Sequence, residues 1–222
     1  NDLEIMNSDV GLKCCPNDAA NEIKEKVHYI CSKGGGKCAV REFCEYILKI
    51  LSRNEKKISC VIPCAKTNVE NINIRKICNT TLLDMKIDTI KNIDFDEIII
   101  SSNDENVKKY DNILIHKRDD ILCNNNVKYT DLYSDHFKAI NNSVLFHTTP
   151  TTPFLSDKSI NNIINIWKNN PQYEMVIFGK KINNVLKDST NYLTLQQGGF
   201  ILDKETFLKY HCDISKIQNI HY

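Results

Sequence analysis

Residues 58–202 alternate short β-branched runs with helical stripes, and this alternation constrains the fold more than any other feature. Ser59–Ile62, Glu97–Ile100, Asn112–His116, Ser143–Phe146, Glu174–Phe178 and Gly199–Leu202 read as strands. Thr80–Ile93 reads as a helix with Leu83, Ile87 and Ile90 on one face, and Asp104–Lys109 as a short helix. Tyr129–Ile140 aligns Tyr133, Phe137 and Ile140. A further helix, capped by Ser156, places Ile160, Ile163, Ile164 and Trp167 at offsets 0, 3, 4 and 7. Ile98-Ile99-Ile100 is continuously apolar, as a strand covered on both faces must be. The expected fold class is α/β: a three-layer α/β/α Rossmann-like domain with a mostly parallel sheet.

The first 52 residues read as a different unit. Their clearest helix carries Val40, Phe43, Cys44, Ile47, Leu48 and Leu51 at offsets 0, 3, 4, 7, 8 and 11, a stripe expected to face a core. Gly34-Gly35-Gly36 precedes it and concentrates three of the seven glycines where unusual backbone angles or a close approach are needed. Residues 53–57 are charged and read as a linker, giving units 1–52 and 58–222. The chain begins at Asn1 and is expected to be part of a longer protein.

A formal net charge of +1 argues against a nucleic-acid partner, which needs clustered excess cation. No apolar run approaches the roughly 18 residues of a membrane span, so no membrane partner is expected. Ten cysteines without a CxxC pair, in a chain with apolar residues enough for an ordinary core, read as reduced thiols in the cytoplasm. Asn 27, Ile 30 and Lys 25 against Arg 4 reflect AT-rich codons, so Asn124–Asn126 carries no functional weight.

In an open parallel sheet, ligands bind beyond the carboxyl ends of the strands near a topological switch point. Three polar segments qualify: residues 63–68, 101–104 and 147–154. Their hydroxyl and amide groups suit a base and a sugar, and Lys66, Arg75, Lys76 and Arg118 are candidate phosphate-binding cations. Neither GxGxxG nor GxxxxGK[ST] occurs. His147 is a candidate base, although a histidine ending a buried strand more often serves as a structural hydrogen-bonder.

Five segments, in order, resemble the CMP-sugar synthetases, the cytidylyltransferases that activate sialic acid, related nonulosonic acids and 3-deoxy-manno-octulosonate. Ile62-Pro63-Cys64-Ala65, with Asn73-Ile74-Arg75-Lys76-Ile77 beyond it, resembles the family's I-P-A-R and K-N-I-K-P-L segments. Ile100-Ser101-Ser102-Asn103-Asp104-Glu105 resembles V-S-T-D-D-E, and Lys117-Arg118 its R-P segment. His147 through Phe154 resembles H-x-T-x-P-F, and Gly198-Gly199-Phe200-Ile201-Leu202 resembles G-G-F-Y-I. Residues 1–52 resemble the tail of haloacid-dehalogenase-like phosphatases acting on 3-deoxy-manno-octulosonate 8-phosphate. Asn1-Asp2-Leu3-Glu4-Ile5-Met6 resembles the end of their G-D-D-x-N-D-L-x-x-M motif, and residues 34–42 resemble G-G-x-G-A-V-R-E.

The resemblance implies transfer of CMP from CTP to an acidic keto-sugar, with Mg²⁺, in a homo-oligomer fused to a sugar-phosphate phosphatase. It implies nucleotide contacts at Lys66, Asn73, Arg75, Ser101, Asn103, Asp104 and Arg118. It places His147, Thr151 and Thr152 against base or sugar, and leaves Asp2, Gly34, Gly35, Gly36 and Arg41 as a phosphatase remnant. The family's arginine position falls on Ala65 or Lys66, the glycine loop has no glycine, one aspartate becomes Asn103, and the late metal-binding aspartates are not recognisable. The competing reading is therefore a degenerate, non-catalytic domain that binds nucleotide or sugar, or serves assembly.

Overall fold

The computed structural model describes residues 2–9, 11–66, 72–124, 126–178, 198–210, 217 and 220–221. The chain divides into two compact units, 1–54 and 55–222.

The smaller unit contains α1 (Asp2–Asn7), β1 (Cys14–Cys15), α2 (Asn21–Lys24), β2 (Tyr29–Ile30) and α3 (Ala39–Glu55). β1 and β2 pair in parallel. α3 turns Ala39, Glu42, Phe43 and Tyr46 towards the rest of this unit. The Tyr29 ring stacks on Tyr46 at 4.0 Å, and Ala39 and Tyr46 are buried. The Glu42 carboxylate accepts the backbone N–H groups of Ser32 (2.7 Å) and Lys33 (3.2 Å) and the Tyr29 hydroxyl (2.9 Å). These bonds, the Ser32 N–H foremost, lower the Glu42 pKa.

Two expectations are corrected here. The predicted stripe does not face a core: Val40, Leu48 and Leu51 are 78%, 63% and 56% exposed. The aromatic stack and the Glu42 clamp select a neighbouring face of the same helix. The predicted linker is also shorter, because Arg53–Glu55 form the last turn of α3.

The larger unit runs β3 (Ile58–Pro63), a hairpin of β4 (Lys76–Ile77) and β5 (Thr80–Thr81), α4 (Leu82–Ile90), β6 (Glu97–Ser102) and β7 (Leu114–Lys117). A 3₁₀ turn (Asp120–Cys123) leads to α5 (Tyr129–Ala139), β8 (Val144–His147), α6 (Asp157–Asn169), β9 (Met175–Ile177), β10 (Phe200–Asp203), α7 (Lys204–Lys209) and β11 (Ile220–His221). Seven strands form one sheet in the order β11-β9-β10-β8-β3-β6-β7. All neighbours are parallel except β10, which is antiparallel to both β8 and β9.

Side chains alternate across each strand, so the sheet has two apolar faces. Cys60, Ile62, Ile100 and Phe146 pack with Leu83, Ile87 and Ile90 of α4 and with Ile160 and Trp167 of α6. Val61, Ile99, Leu145 and Phe200 pack with Tyr133 and Phe137 of α5 and with Phe207 of α7. The result is the expected three-layer α/β/α arrangement.

Local signals fix the helix starts. Ser156 Oγ accepts the Ser159 N–H at 3.2 Å, and Thr81 Oγ1 accepts the Asp84 N–H at 3.0 Å. Thr80 and Thr81 belong to β5, so α4 starts later than predicted. The expected helix at 104–109 does not form. Ser102 Oγ accepts the Asp104 N–H, and Asp104 Oδ1 accepts the Asn106 N–H, both at 2.9 Å. Such side-chain bonds compete with the helical backbone pattern.

The chain leaves β3 through α4 to β6 and β7 on one side, then returns through α5 to β8 on the other. The topological switch therefore lies between β3 and β8.

Candidate functional site

The carboxyl ends of β8, β3 and β6 lie side by side, and their loops are tied together. The Cys64 N–H donates to Ser101 O at 2.8 Å, and Ser102 Oγ donates back to Cys64 O. The Lys66 N–H donates to Asn103 Oδ1 at 2.8 Å, while Asn103 Nδ2 donates to Asp120 Oδ1 at 2.8 Å. Thr148 N–H closes the other side on Val61 O at 3.2 Å. The described parts of the three segments singled out in the sequence, residues 63–66, 101–104 and 147–154, thus converge on one rim, and residues 67–68 lie outside the described residues. Lys66 is exposed there and Asp104 half-buried. Asn73 is buried: its carbonyl accepts the Leu83 N–H at 2.9 Å, and its side chain bonds the Cys64 thiol, which burial pushes up to about 12. Arg75 is exposed just before β4.

Ser101, Arg118 and His147 sit beneath that rim, on the α5 face. Arg118 is only 4% exposed. Its Nε donates to Ser101 Oγ at 3.0 Å and its Nη2 to Ser101 O at 2.9 Å, and Nη2 lies 3.4 Å from His136 Nε2. It makes no ion pair among the described residues, and burial lowers its pKa. His147 stacks on Phe200 (centroids 5.0 Å, planes 13° apart) and on His136 (5.5 Å, 28°). Neither of its ring nitrogens has a hydrogen-bond partner among the described residues. Burial, and then Arg118, lower its pKa to about 3, and His136 is driven well below the ordinary range mainly by burial. Among the described residues His147 is thus a stacked ring without a hydrogen-bond partner, favoured in its neutral form by burial.

On the α4 face a cavity of about 570 Å³ opens beside Thr151 and Thr152, walled by Leu82, Pro153, Phe154, Leu155 and Phe178. Phe154 is 89% exposed. The loop above it is internally bonded: Thr149 and Thr151 hydroxyls lie 2.9 Å apart, and Thr152 Oγ1 donates to Thr149 O at 3.0 Å. From below, the fully buried Lys86 donates to Thr152 O at 2.6 Å and to Thr152 Oγ1 at 3.1 Å. Burial lowers its ammonium to about 8.

Lys86 and Asp120 are the participants that sequence reasoning missed. The signal for Lys86 was present: it lies at offset 3 from Leu83 on the core stripe of α4, where a lysine is out of place.

In the smaller unit, Asp18 Oδ1 accepts the Gly35 N–H at 2.9 Å, and a Cβ on Gly34 would come within 2.8 Å of Asp18 Oδ2. Gly36 has φ 71°. Arg41 is exposed and paired with Glu45 at 3.0 Å. Asp2 opens α1.

Among the described residues no group of three or more His, Cys, Asp or Glu is placed to hold a metal ion. No helix among them is long and apolar enough to cross a membrane.

No protein-family model matches the chain, and no curated protein matches it. Solved structures do. A 4-diphosphocytidyl-2C-methyl-D-erythritol synthase from Anaerococcus prevotii DSM 20548 aligns with a TM-score of 0.51 at 18% identity, over 76% of this chain and 80% of that one. The fold is that of solved cytidylyltransferases. A CMP:2-keto-3-deoxy-manno-octonic acid synthetase, solved with CTP, gives 0.50 at 8% identity, over 70% of this chain and 77% of its own. A cytidylyltransferase from Leptospira borgpetersenii serovar Hardjo-bovis (strain JB197) gives 0.52 at 14%, over 71% and 64%. At such identities the likeness speaks for the cytidylyltransferase-like fold alone.

Proposed function

We propose that the larger unit binds CTP across the β3–β8 switch and transfers CMP to an acidic keto-sugar. The sugar's 2-hydroxyl oxygen forms a bond to the α-phosphorus as the bridge to the β-phosphate breaks, releasing pyrophosphate and the hydroxyl proton. The observation that carries this reading is the cross-tying of the three strand ends, Cys64 to Ser101, Lys66 to Asn103 and Thr148 to Val61, beside a cavity of about 570 Å³. A pre-tied rim lowers the entropic cost of aligning two substrates.

In this reading Lys66 and Arg75 meet the triphosphate, and Asn103 and Asp104 lie near base and ribose. Thr151 and Thr152 face the acceptor sugar. Ser101 and Arg118 support the rim from below. No step is assigned to Mg²⁺, and CTP binding is expected to depend little on it. Residues 1–52 serve as the tail that completes an upstream phosphatase site, with Arg41 and Gly34–Gly36 at an interface in a homo-oligomer, and the protein works in the cytoplasm.

One observation favours a second reading, a non-catalytic nucleotide- or sugar-binding domain. Arg118 and His147, two of the polar groups expected at the ligand, are buried under the rim.

Calorimetric titration with CTP, ATP and GTP, paired with a pyrophosphate-release assay on acidic keto-sugars, separates the two. The enzyme reading expects CTP to bind best, Arg75→Ala to weaken it about tenfold or more through a lost charge-assisted contact, and pyrophosphate to appear with sugar. CTP binding without release supports the second reading. A folded protein that binds no CTP at millimolar ligand overturns the transfer reading and leaves a sugar-binding or assembly domain.

A further inference from the structure

Lys86 is a costly residue for its position. It occupies a core offset of α4 between Leu83 and Ile90, is wholly buried, and makes no ion pair among the described residues. A well-packed apolar side chain there is usually as stable as a buried charge, or more so. Both acceptors given for its ammonium belong to Thr152, in the loop that borders the cavity.

These two bonds fix more than one residue. The Thr152 hydroxyl accepts a hydrogen bond from Lys86, so its own hydrogen is donated to Thr149 O. The same four-residue loop carries the Thr149–Thr151 hydroxyl contact. The orientation of Thr151 at the cavity mouth therefore depends on an ammonium beneath the floor.

Among the described residues no acidic group cancels this charge. Asp84, on the same helix, is engaged by Tyr110 and Lys108. The Cys60 thiol of β3 is kept protonated by burial. In a low-dielectric interior such a charge is felt at the adjoining surface far more than in water.

We propose that Lys86 is the positioning residue of this cavity: it holds the Thr149–Thr152 loop in place and gives the cavity a preference for an anionic ligand, bearing a carboxylate or a phosphate. The proposal rests on reading the cavity as the acceptor site, but not on the transfer reaction.

The test uses the full chain, Lys86→Met and Lys86→Arg. Each is titrated with N-acetylneuraminate and 3-deoxy-manno-octulosonate as free acids and as methyl esters, and separately with CTP. The wild type should bind acid about tenfold more tightly than ester. Lys86→Met should erase that ratio, leave CTP affinity within about twofold, and speed hydrogen exchange in residues 149–152 but not in β3. Lys86→Arg should keep the ratio. Raising the pH through the ammonium pKa of about 8 should shrink the ratio in the wild type and not in Lys86→Arg. A folded Lys86→Met with wild-type ratio and loop exchange overturns the proposal. So does a wild type that binds neither acid nor discriminates acid from ester. If Lys86→Met does not fold, a pH-independent ratio in the wild type overturns it. Acid preference without CTP binding leaves the proposal standing and sinks the transfer reading alone.

Discussion

Gly199 lies so close to His147 that a Cβ on the glycine would stand 2.1 Å from the histidine carbonyl oxygen. Its φ of 126° is also a conformation that side chains with a Cβ rarely adopt. This contact lets the antiparallel β10 enter beside the end of β8, where Phe200 pairs with His147. Gly199→Ala should cost about 3 kcal/mol or more, since clash and strain act together. Gly36, with φ 71° and open space around it, isolates the strain: Gly36→Ala should cost about 1–2 kcal/mol. Urea denaturation of the two variants tests the difference, and equal losses would refute the clash.

Asn103 links two loops at once, accepting from the Lys66 N–H and donating to Asp120. Asn103→Ala should lose about 1–2 kcal/mol of stability and weaken CTP binding. Asn103→Asp keeps the acceptor but sets a second carboxylate against Asp120. That variant should be worse than alanine at neutral pH and recover below the carboxylate range, as a pH series of thermal melts would show.

His147 sets a pH dependence with a definite sign. Its folded pKa of about 3 lies below the ordinary value of 6.5, so between these values the unfolded chain holds a proton that the folded one lacks. Stability is therefore fully present above about pH 6.5 and falls towards pH 3, by something on the order of 4 kcal/mol. His136, displaced in the same direction, adds to the fall. His147→Phe keeps a ring on Phe200 and removes two nitrogens that have no partner among the described residues. It should be at least as stable as the wild type at pH 7 and clearly more stable at pH 4.5; equal acid sensitivity would count against this account.

Glu42 anchors the smaller unit through the Ser32 and Lys33 amides. Glu42→Gln weakens these charge-assisted bonds, and hydrogen exchange at both amides should accelerate. In the wild type the same acceleration should appear as pH falls through the lowered Glu42 pKa, because the bonds favour the ionised carboxylate. Unchanged exchange in the variant would show that the clamp carries little.

The core strands and the start of α6 were legible because their causes are local. Ile98-Ile99-Ile100 could only be a doubly covered strand, and Ser156 caps the helix that its position announced. What escaped depended on distant partners. The face that α3 buries was decided by Tyr29, and the burial of Arg118 by Ser101 and His136 across the sheet. Apolar alternation says nothing of direction, so the reversal of β10 left no trace in the pattern. Lys86 was visible in the core stripe of α4 but drew no notice, because lysine on a helix usually faces solvent.

The reversal of β10 has a consequence for how this chain tolerates change. β9 ends and β10 begins at the same margin of the sheet, where the Phe178 N–H meets Gly199 O at 2.9 Å and Thr148 Oγ1 holds Gly198 O at 3.1 Å. The entry to β10 is thus held from both neighbouring strands at once, and a Cβ would meet Phe178 at Gly198 and His147 at Gly199. A substitution at either glycine is therefore felt in β8 and β9 together, whereas one further along β10 faces only ordinary core packing.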